Sequence, residues 1–322
     1  MNSAQPMAKL AVDELQKTSS DILSRILAVQ KKAMQRQQGN GSSVQQAMAQ
    51  LPPWPEVVRG VPNALLRTAL FTISKNRQVF KGRELLASTA DIELRFKGER
   101  FNQTDLGVWE MLLHLGRLQP LGGKVEFSAY SLLKALGRDT GKTQHEQLKD
   151  EIARLQGGVV EISWKRERKT FSGQLVGAAY RNEVTQQYVV ILNEKLLHLY
   201  DDGFTHIDWV QRQALKSNLA KWLHGFYASH ALAYPYKVET LRKLCGSDTK
   251  QLRNFRKMLK VALDDLFAVN CIKGWQITPS DLVYIVGTRS DSQVKHVNKM
   301  RVAANHQHNA DSFNTHKRGT IR

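Results

Sequence analysis

Lys250, Arg253, Asn254, Lys257 and Lys260 recur at spacings that put all five on one face of a helix. Four are cations and the fifth is an amide. Cations so arranged neutralise phosphates, and arginine or asparagine can form paired hydrogen bonds to base edges. The chemistry on offer is therefore nucleic-acid recognition, although a solvated helix face is the plainer alternative. The opposite face is apolar, through Leu252, Phe255, Leu259, Ala262, Leu263 and Leu266. Just upstream, Leu244-Cys245-Gly246-Ser247-Asp248-Thr249 reads as a helix end and tight turn, with Asp248 or Thr249 available as an N-cap. Together these are the parts of a helix-turn-helix whose second helix enters the DNA major groove.

A second cationic cluster, Lys165, Arg166, Arg168 and Lys169, joins two stretches with strand character. At a hairpin tip, such a wing can reach phosphate or the minor groove; the plainer reading is that a tip needs polar residues. The helix before it, Thr143 to Gln156, sets Lys149 and Arg154 beside Glu146 and Asp150. Carboxylates facing phosphate repel it. Base reading is therefore assigned mainly to the later helix, and backbone grip to the 165–169 cluster.

Other groupings fall short of chemistry. Gly137-Arg138-Asp139-Thr140-Gly141-Lys142-Thr143 approaches a phosphate-binding loop but has three residues between its glycines where four are needed. It also follows a predicted helix instead of a strand, and reads as the turn of a first helix-turn-helix. His306-Gln307-His308 has the spacing of a metal-ligand pair but lies in a polar tail without rigid support. Cys245 and Cys271 are too few for a four-cysteine zinc site and lack histidines at zinc-finger spacing. Both read as core or helix-end residues in a reducing cytosol. No catalytic residue, metal ligand or cofactor is expected, and the chain does not read as an enzyme.

The elements that must position these groups follow from apolar periodicity. The 322 residues carry 47 Lys and Arg against 29 Asp and Glu, a net charge of +18, with 42% hydrophobic residues. That combination allows packed cores and favours a polyanionic partner. No apolar run is long enough for a bilayer and Met1-Asn2-Ser3-Ala4-Gln5-Pro6 lacks the charged-then-apolar order of a signal peptide, so a cytoplasmic location without membrane association is expected. Residues 1–50 read as a flexible segment with an amphipathic helix through Ile22, Leu23, Ile26, Leu27 and Ala33, followed by a linker over Gln37–Ser43. Helices are predicted over 104–118, 128–136 and 143–156. A short strand at 124–127 leads into the second of these, and strands at 159–164, 171–180 and 187–192 are expected in one small antiparallel sheet. The order then repeats, with helices over 211–231, 238–245 and 250–269 and a hairpin of 272–277 with 282–286. The predicted fold is α+β, two winged-helix domains in tandem at 51–203 and 204–288, with a basic disordered tail at 289–322.

Short motifs add a resemblance. Pro53-Trp54-Pro55-Glu56, Pro62-Asn63, Arg67-Thr68-Ala69-Leu70-Phe71-Thr72, Tyr234-Pro235-Tyr236, Lys237 to Arg242 and Cys245-Gly246-Ser247-Asp248 occur in an order that resembles the TrfA-type replication initiators of broad-host-range plasmids. The likeness runs from about Trp54 to Val286. It implies binding of repeated origin DNA (iterons), opening of an AT-rich segment with the host initiator, recruitment of the replicative helicase, and no nicking. It further implies active monomers, and dimers that restrain copy number. Family members can carry a sliding-clamp peptide before the Pro-Trp-Pro segment; Gln45–Leu51 stands there in this chain, without the family's aromatic end. A winged-helix transcriptional regulator is the alternative, because fold alone does not separate the two.

Overall fold

The computed structural model describes residues 50–231 and 234–287, and five positions of an N-terminal helix, Ser24, Arg25, Leu27, Ala28 and Lys31. The rest of the amphipathic stripe, the linker 37–43, residues 45–49, the tail 289–322 and His306–His308 lie outside the described residues.

The first part of the chain forms β1 (Val58–Pro62), α1 (Asn63–Leu66), β2 (Val79–Leu86), β3 (Ile92–Glu99), α2 (Gln103–Gly116), β4 (Lys124–Ser128), α3 (Ala129–Ala135) and α4 (Lys142–Gly157). Strands β5 (Val159–Trp164), β6 (Lys169–Gln174), β7 (Ala178–Asn182) and β8 (Gln187–Ile191) follow, then a 3₁₀ turn (Glu194–Tyr200) and β9 (Phe204–Asp208). The second part comprises α5 (Trp209–Ala214), α6 (Asn218–Ala228), β10 (Tyr236–Lys237), α7 (Val238–Leu244), α8 (Leu252–Ala268), β11 (Ile272–Ile277) and β12 (Leu282–Gly287).

Local chemistry sets the ends of these elements. Asn102 accepts the amides of Thr104 and Asp105 while Asp105 bonds back to the Asn102 amide, a reciprocal cap that starts α2. Ser128 caps α3 through the Ser131 amide. In β3 and β5, alternation buries Ile92, Leu94 and Phe96 against Val160, Ile162 and Trp164.

The second part is a winged helix: α6, β10, α7, α8 and the β11–β12 hairpin, with strand order β10-β12-β11. The first part repeats that plan with α2, β4, α3, α4 and the β7–β8 hairpin, in the equivalent order β4-β8-β7. The fold is thus α+β with two winged-helix units. The first is enlarged by a four-stranded sheet of order β2-β3-β5-β6.

This topology differs from the expected elements at several points. The predicted strand 171–180 is two strands in different sheets, because Leu175 and Val176 are buried between them and the Gly177 amide turns to the Ile191 carbonyl. The single small sheet is therefore two. The predicted helix 211–231 is broken, since Asp208 caps α5 and Ser217 caps α6. Strands β2 and β3, neither of them expected, supply half of a sheet, although Ile92, Leu94 and Phe96 alternate with Glu93, Arg95 and Lys97. Finally, β9 pairs antiparallel with β1 across Val58–Pro62, and Ile207 and Trp209 join the first core. Residues 204–209 thus pack with the unit expected to end at 203. The second core draws on residues from Leu215 to Val283.

Candidate nucleic-acid interface

Helix α8 buries Phe255, Leu259, Ala262, Leu263 and Leu266, the apolar face expected of it. Lys250, Arg253, Asn254, Lys257 and Lys260 are all exposed. None of the four cations forms an ion pair with another described residue, whereas Arg256, around the side of the helix, holds Asp281 through two bonds of 2.9 and 2.6 Å. Asp281 lies in the turn of the β11–β12 wing, so this pair ties wing to helix. Two apolar residues missed in the sequence share the exposed side, Met258 at 44% and Val261 at 61% exposure.

The start of α8 is not capped by Asp248 or Thr249. Gln251 occupies the cap position without a side-chain bond. Asp248 faces the first unit, accepting from the Ser74 hydroxyl and from Arg100 at 3.1 Å. The Thr249 carbonyl takes a bond from Arg242 at 2.8 Å. With its one nearby carboxylate turned away, the leading end of α8 stays positive, as favours an anion.

The same turn is gripped by residues far away in sequence. Thr72 Oγ1 donates to the Gly246 carbonyl at 2.6 Å, the Ile73 amide to Cys245 O at 3.0 Å, and Arg100 Nη2 to Gly246 O at 2.9 Å. Gly246 has φ +63°, and a Cβ there would lie 2.6 Å from both Thr72 Oγ1 and Arg100 Nη2. The motifs Arg67–Thr72 and Cys245–Asp248 are therefore two sides of one seam. Cys245 is buried in it, which pushes its thiol up to about 12. A second bridge crosses the units where Arg212 Nε meets Glu110 at 2.7 Å, both side chains almost wholly buried, and Arg212 also donates to Gln103 and to the Lys221 carbonyl.

Pro53–Glu56 packs on α2. Trp54 Nε1 donates to His114 Nδ1 at 3.2 Å, so Nε2–H of a neutral imidazole donates to Glu56 at 3.0 Å. Burial holds the His114 ring down at about 3, while its bond to Glu56 holds that carboxyl at about 2.

The first unit treats its cations differently. On α4, Arg154 Nε bonds Asp105 at 3.0 Å and its Nη1 lies 3.5 Å from Glu99. Arg138, in the turn Gly137–Gly141, bonds Glu151 at 2.7 Å. Exposed Lys149 stands among exposed Glu146 and Asp150. The turn that resembled a phosphate loop follows α3 and links it to α4, as in a helix-turn-helix.

Lys165, Arg166, Arg168 and Lys169 are exposed at the tip of the β5–β6 hairpin. That hairpin belongs to the four-stranded sheet. It is not the counterpart of the second unit's wing; the β7–β8 hairpin is, and Arg181 near its tip is held by Glu183 and Gln186. Lys165 Nζ bonds the Ala90 carbonyl at 3.0 Å and Arg166 lies 3.3 Å from Asp91. The structure thus separates the two groups of sequence-assigned cations, one on helix α8 of the second unit and the other on the four-stranded sheet of the first. Topology was the missing signal, since both hairpins follow α4.

Among the described residues no three His, Cys, Asp or Glu side chains cluster as a metal site, and no helix is long and apolar enough to cross a membrane. Leu51, at the end of the 45–51 peptide, is buried in the first core.

Comparison with known proteins adds family information. The sequence model described as TrfA protein matches residues 8–285. The plasmid replication initiator protein TrfA of Escherichia coli is 25% identical over 231 residues, 69% of this chain and 60% of that protein. The chain therefore matches less than two thirds of this relative's length. Among solved structures, RctB domains 2–3 align with a TM-score of 0.48 at 11% identity, covering 72% of this chain and 98% of that one. The Pi initiator protein in complex with iteron DNA aligns with a TM-score of 0.42 at 13% identity, covering 56% and 90%.

Proposed function

Given that this chain belongs to the TrfA protein family, we propose that it is a plasmid replication initiator that binds repeated origin DNA with α8 in the major groove. The observation that carries this reading is the α8 surface: Lys250, Arg253, Lys257 and Lys260 exposed beside Asn254, with no carboxylate partner among the described residues. Cations free of partners release counterions when they meet phosphate, and the arginine and amide supply base-edge bonds. The β11–β12 wing, tied to α8 through Arg256 and Asp281, lies beside the helix. Lys165, Arg166, Arg168 and Lys169 act as a separate backbone contact from the four-stranded sheet.

The mechanism needs no covalent step by this chain. Copies bound to adjacent repeats deform the duplex, which lowers the cost of opening a neighbouring AT-rich segment. Host initiator and replicative helicase are the partners this reading requires, with self-association of monomers into dimers limiting firing. It also implies a cytoplasmic protein. Burial of Leu51 argues against a sliding-clamp peptide ending at that residue. The division between the two units is best drawn within 210–214, where membership passes from the first core to the second.

Footprinting of the full chain on the origin of its own plasmid, followed by probing of unpaired bases, tests the proposal. Protected direct repeats with opening of adjacent AT-rich DNA are expected. Protection without opening, under conditions where the host initiator is supplied, would leave a transcriptional regulator; no specific protection would overturn the reading.

A further inference from the structure

Among the side chains on the outer face of α8, Val261 is the anomaly. It lies one turn beyond Lys257 and two beyond Asn254, at the C-terminal end of the cationic surface and one turn before exposed Asp264, and is 61% exposed. Nothing in the unit's own packing uses it, since the second core takes Phe255, Leu259, Ala262, Leu263 and Leu266 from the other side of the helix. A β-branched residue also favours helix less than the lysines around it do. An isolated exposed valine needs no explanation on most surfaces. This one shares a face with Arg253, Asn254 and Lys257, so whatever polyanion covers them covers it too.

The floor of the major groove is lined with hydrogen-bond donors and acceptors, and its one apolar group is the C5 methyl of thymine. A valine carried into that groove without meeting such a methyl would face polar atoms that it cannot satisfy. Resting on the DNA-binding reading above, we infer that Val261 is a specificity-determining residue that packs on a thymine methyl, next to the bases contacted by Asn254 and Lys257. The site would then discriminate thymine from cytosine at one position through an apolar contact, independently of the charged contacts around it.

Deoxyuridine tests this, because it removes the methyl while keeping the base pair and the groove's hydrogen-bonding pattern. Each thymine of the footprinted duplex is replaced singly by deoxyuridine, and binding of the full-length chain is compared with that of Val261→Ala and Lys257→Ala. At one thymine, the unaltered chain should lose about three- to fivefold in affinity, the effect of one buried methyl-sized group. Val261→Ala should lose a similar factor on the unmodified duplex and nothing further at that deoxyuridine. Lys257→Ala should keep the deoxyuridine effect while its salt dependence falls. A circular-dichroism melt matching the unaltered chain establishes that Val261→Ala is folded. Specific binding with no thymine coupled to position 261 would overturn the inference and leave the DNA-binding reading intact. Absence of specific binding by the unaltered chain would overturn both.

Discussion

Helices α4 and α8 hold the same place in two copies of one plan, yet their charged groups do opposite things. In α4 the arginine Arg154 is turned toward Asp105 and Glu99, the preceding turn's Arg138 is held by Glu151, and exposed Lys149 has acidic neighbours. In α8 the outward cations have no described ion-pair partner, and Arg256, the one that does, anchors the wing. Counting Lys and Arg would not separate the two helices. What separates them is that the guanidiniums in and before α4 are held by carboxylates, while the outward cations of α8 are not. A paired guanidinium must lose that partner before it can serve a phosphate, whereas an unpartnered one only sheds counterions.

The sharpest way to break the comparison is to uncouple the units. Arg212→Met leaves the buried Glu110 without its partner and removes the bonds to Gln103 and Lys221. Loss of one member of a buried pair costs about 3–5 kcal/mol. Urea unfolding should shift to a much lower midpoint and separate into two transitions if the seam is what makes the units cooperate. A midpoint close to the original would mean that Glu110 is readily satisfied by Arg59 and that Arg212 is dispensable.

Binding measurements come next in size. Arg253→Ala and Asn254→Ala should each cost about 1–3 kcal/mol on the cognate duplex and relax base preference. The matched change on the other helix, Lys149→Ala, should cost less than about 0.5 kcal/mol, as for a surface cation among carboxylates. Titrations on cognate and scrambled duplexes decide between them. A larger loss from Lys149 would reverse the roles assigned to the two units.

Gly246→Ala tests whether the first unit holds the turn before α8. The positive φ and the short approach to Thr72 and Arg100 should together destabilise the fold by about 1–3 kcal/mol. The change should be visible as a lower melting temperature. An unchanged melt would show that Thr72 and Arg100 move aside easily.

Acid should weaken both units. Burial holds His114 and His224 at about 3 and His230 at about 4, against an ordinary value of 6.5. The unfolded chain thus binds more protons than the folded one below about pH 6.5, so stability present above that pH is lost as pH falls toward 4. The urea midpoint should be lower at pH 5 than at pH 7.5, and His114→Gln should make that difference smaller. Equal midpoints would mean these rings are protonated in the fold.

Much of this was legible in sequence. The apolar stripe of α8 and the glycines at 137 and 246 reflect local rules of period, cap and turn, and these survive in the fold. The α2 helix and the β11–β12 hairpin were legible for the same reason. Less legible were β1 and β9, which pair across as many as 150 residues, β2, whose side chains are mostly exposed and show no apolar alternation, and the break of 211–231, whose capping residues Asp208 and Ser217 were present but outweighed by continuous apolar periodicity; β3 was missed although its alternation is plain.

By itself, then, the sequence determined which residues of α8 face outward and which pack inward, because helical period depends only on spacing. It determined the net charge of +18 and therefore the kind of partner that charge attracts. Only the tertiary structure decided which cations are already paired, since Arg154 meets Asp105 and Arg138 meets Glu151 through chain segments brought together by folding. It also decided that Asp248 serves the seam instead of capping α8. And it placed the 165–169 cluster on a sheet of its own, because strand pairing is non-local and nothing in a strand's own residues names the strand beside it.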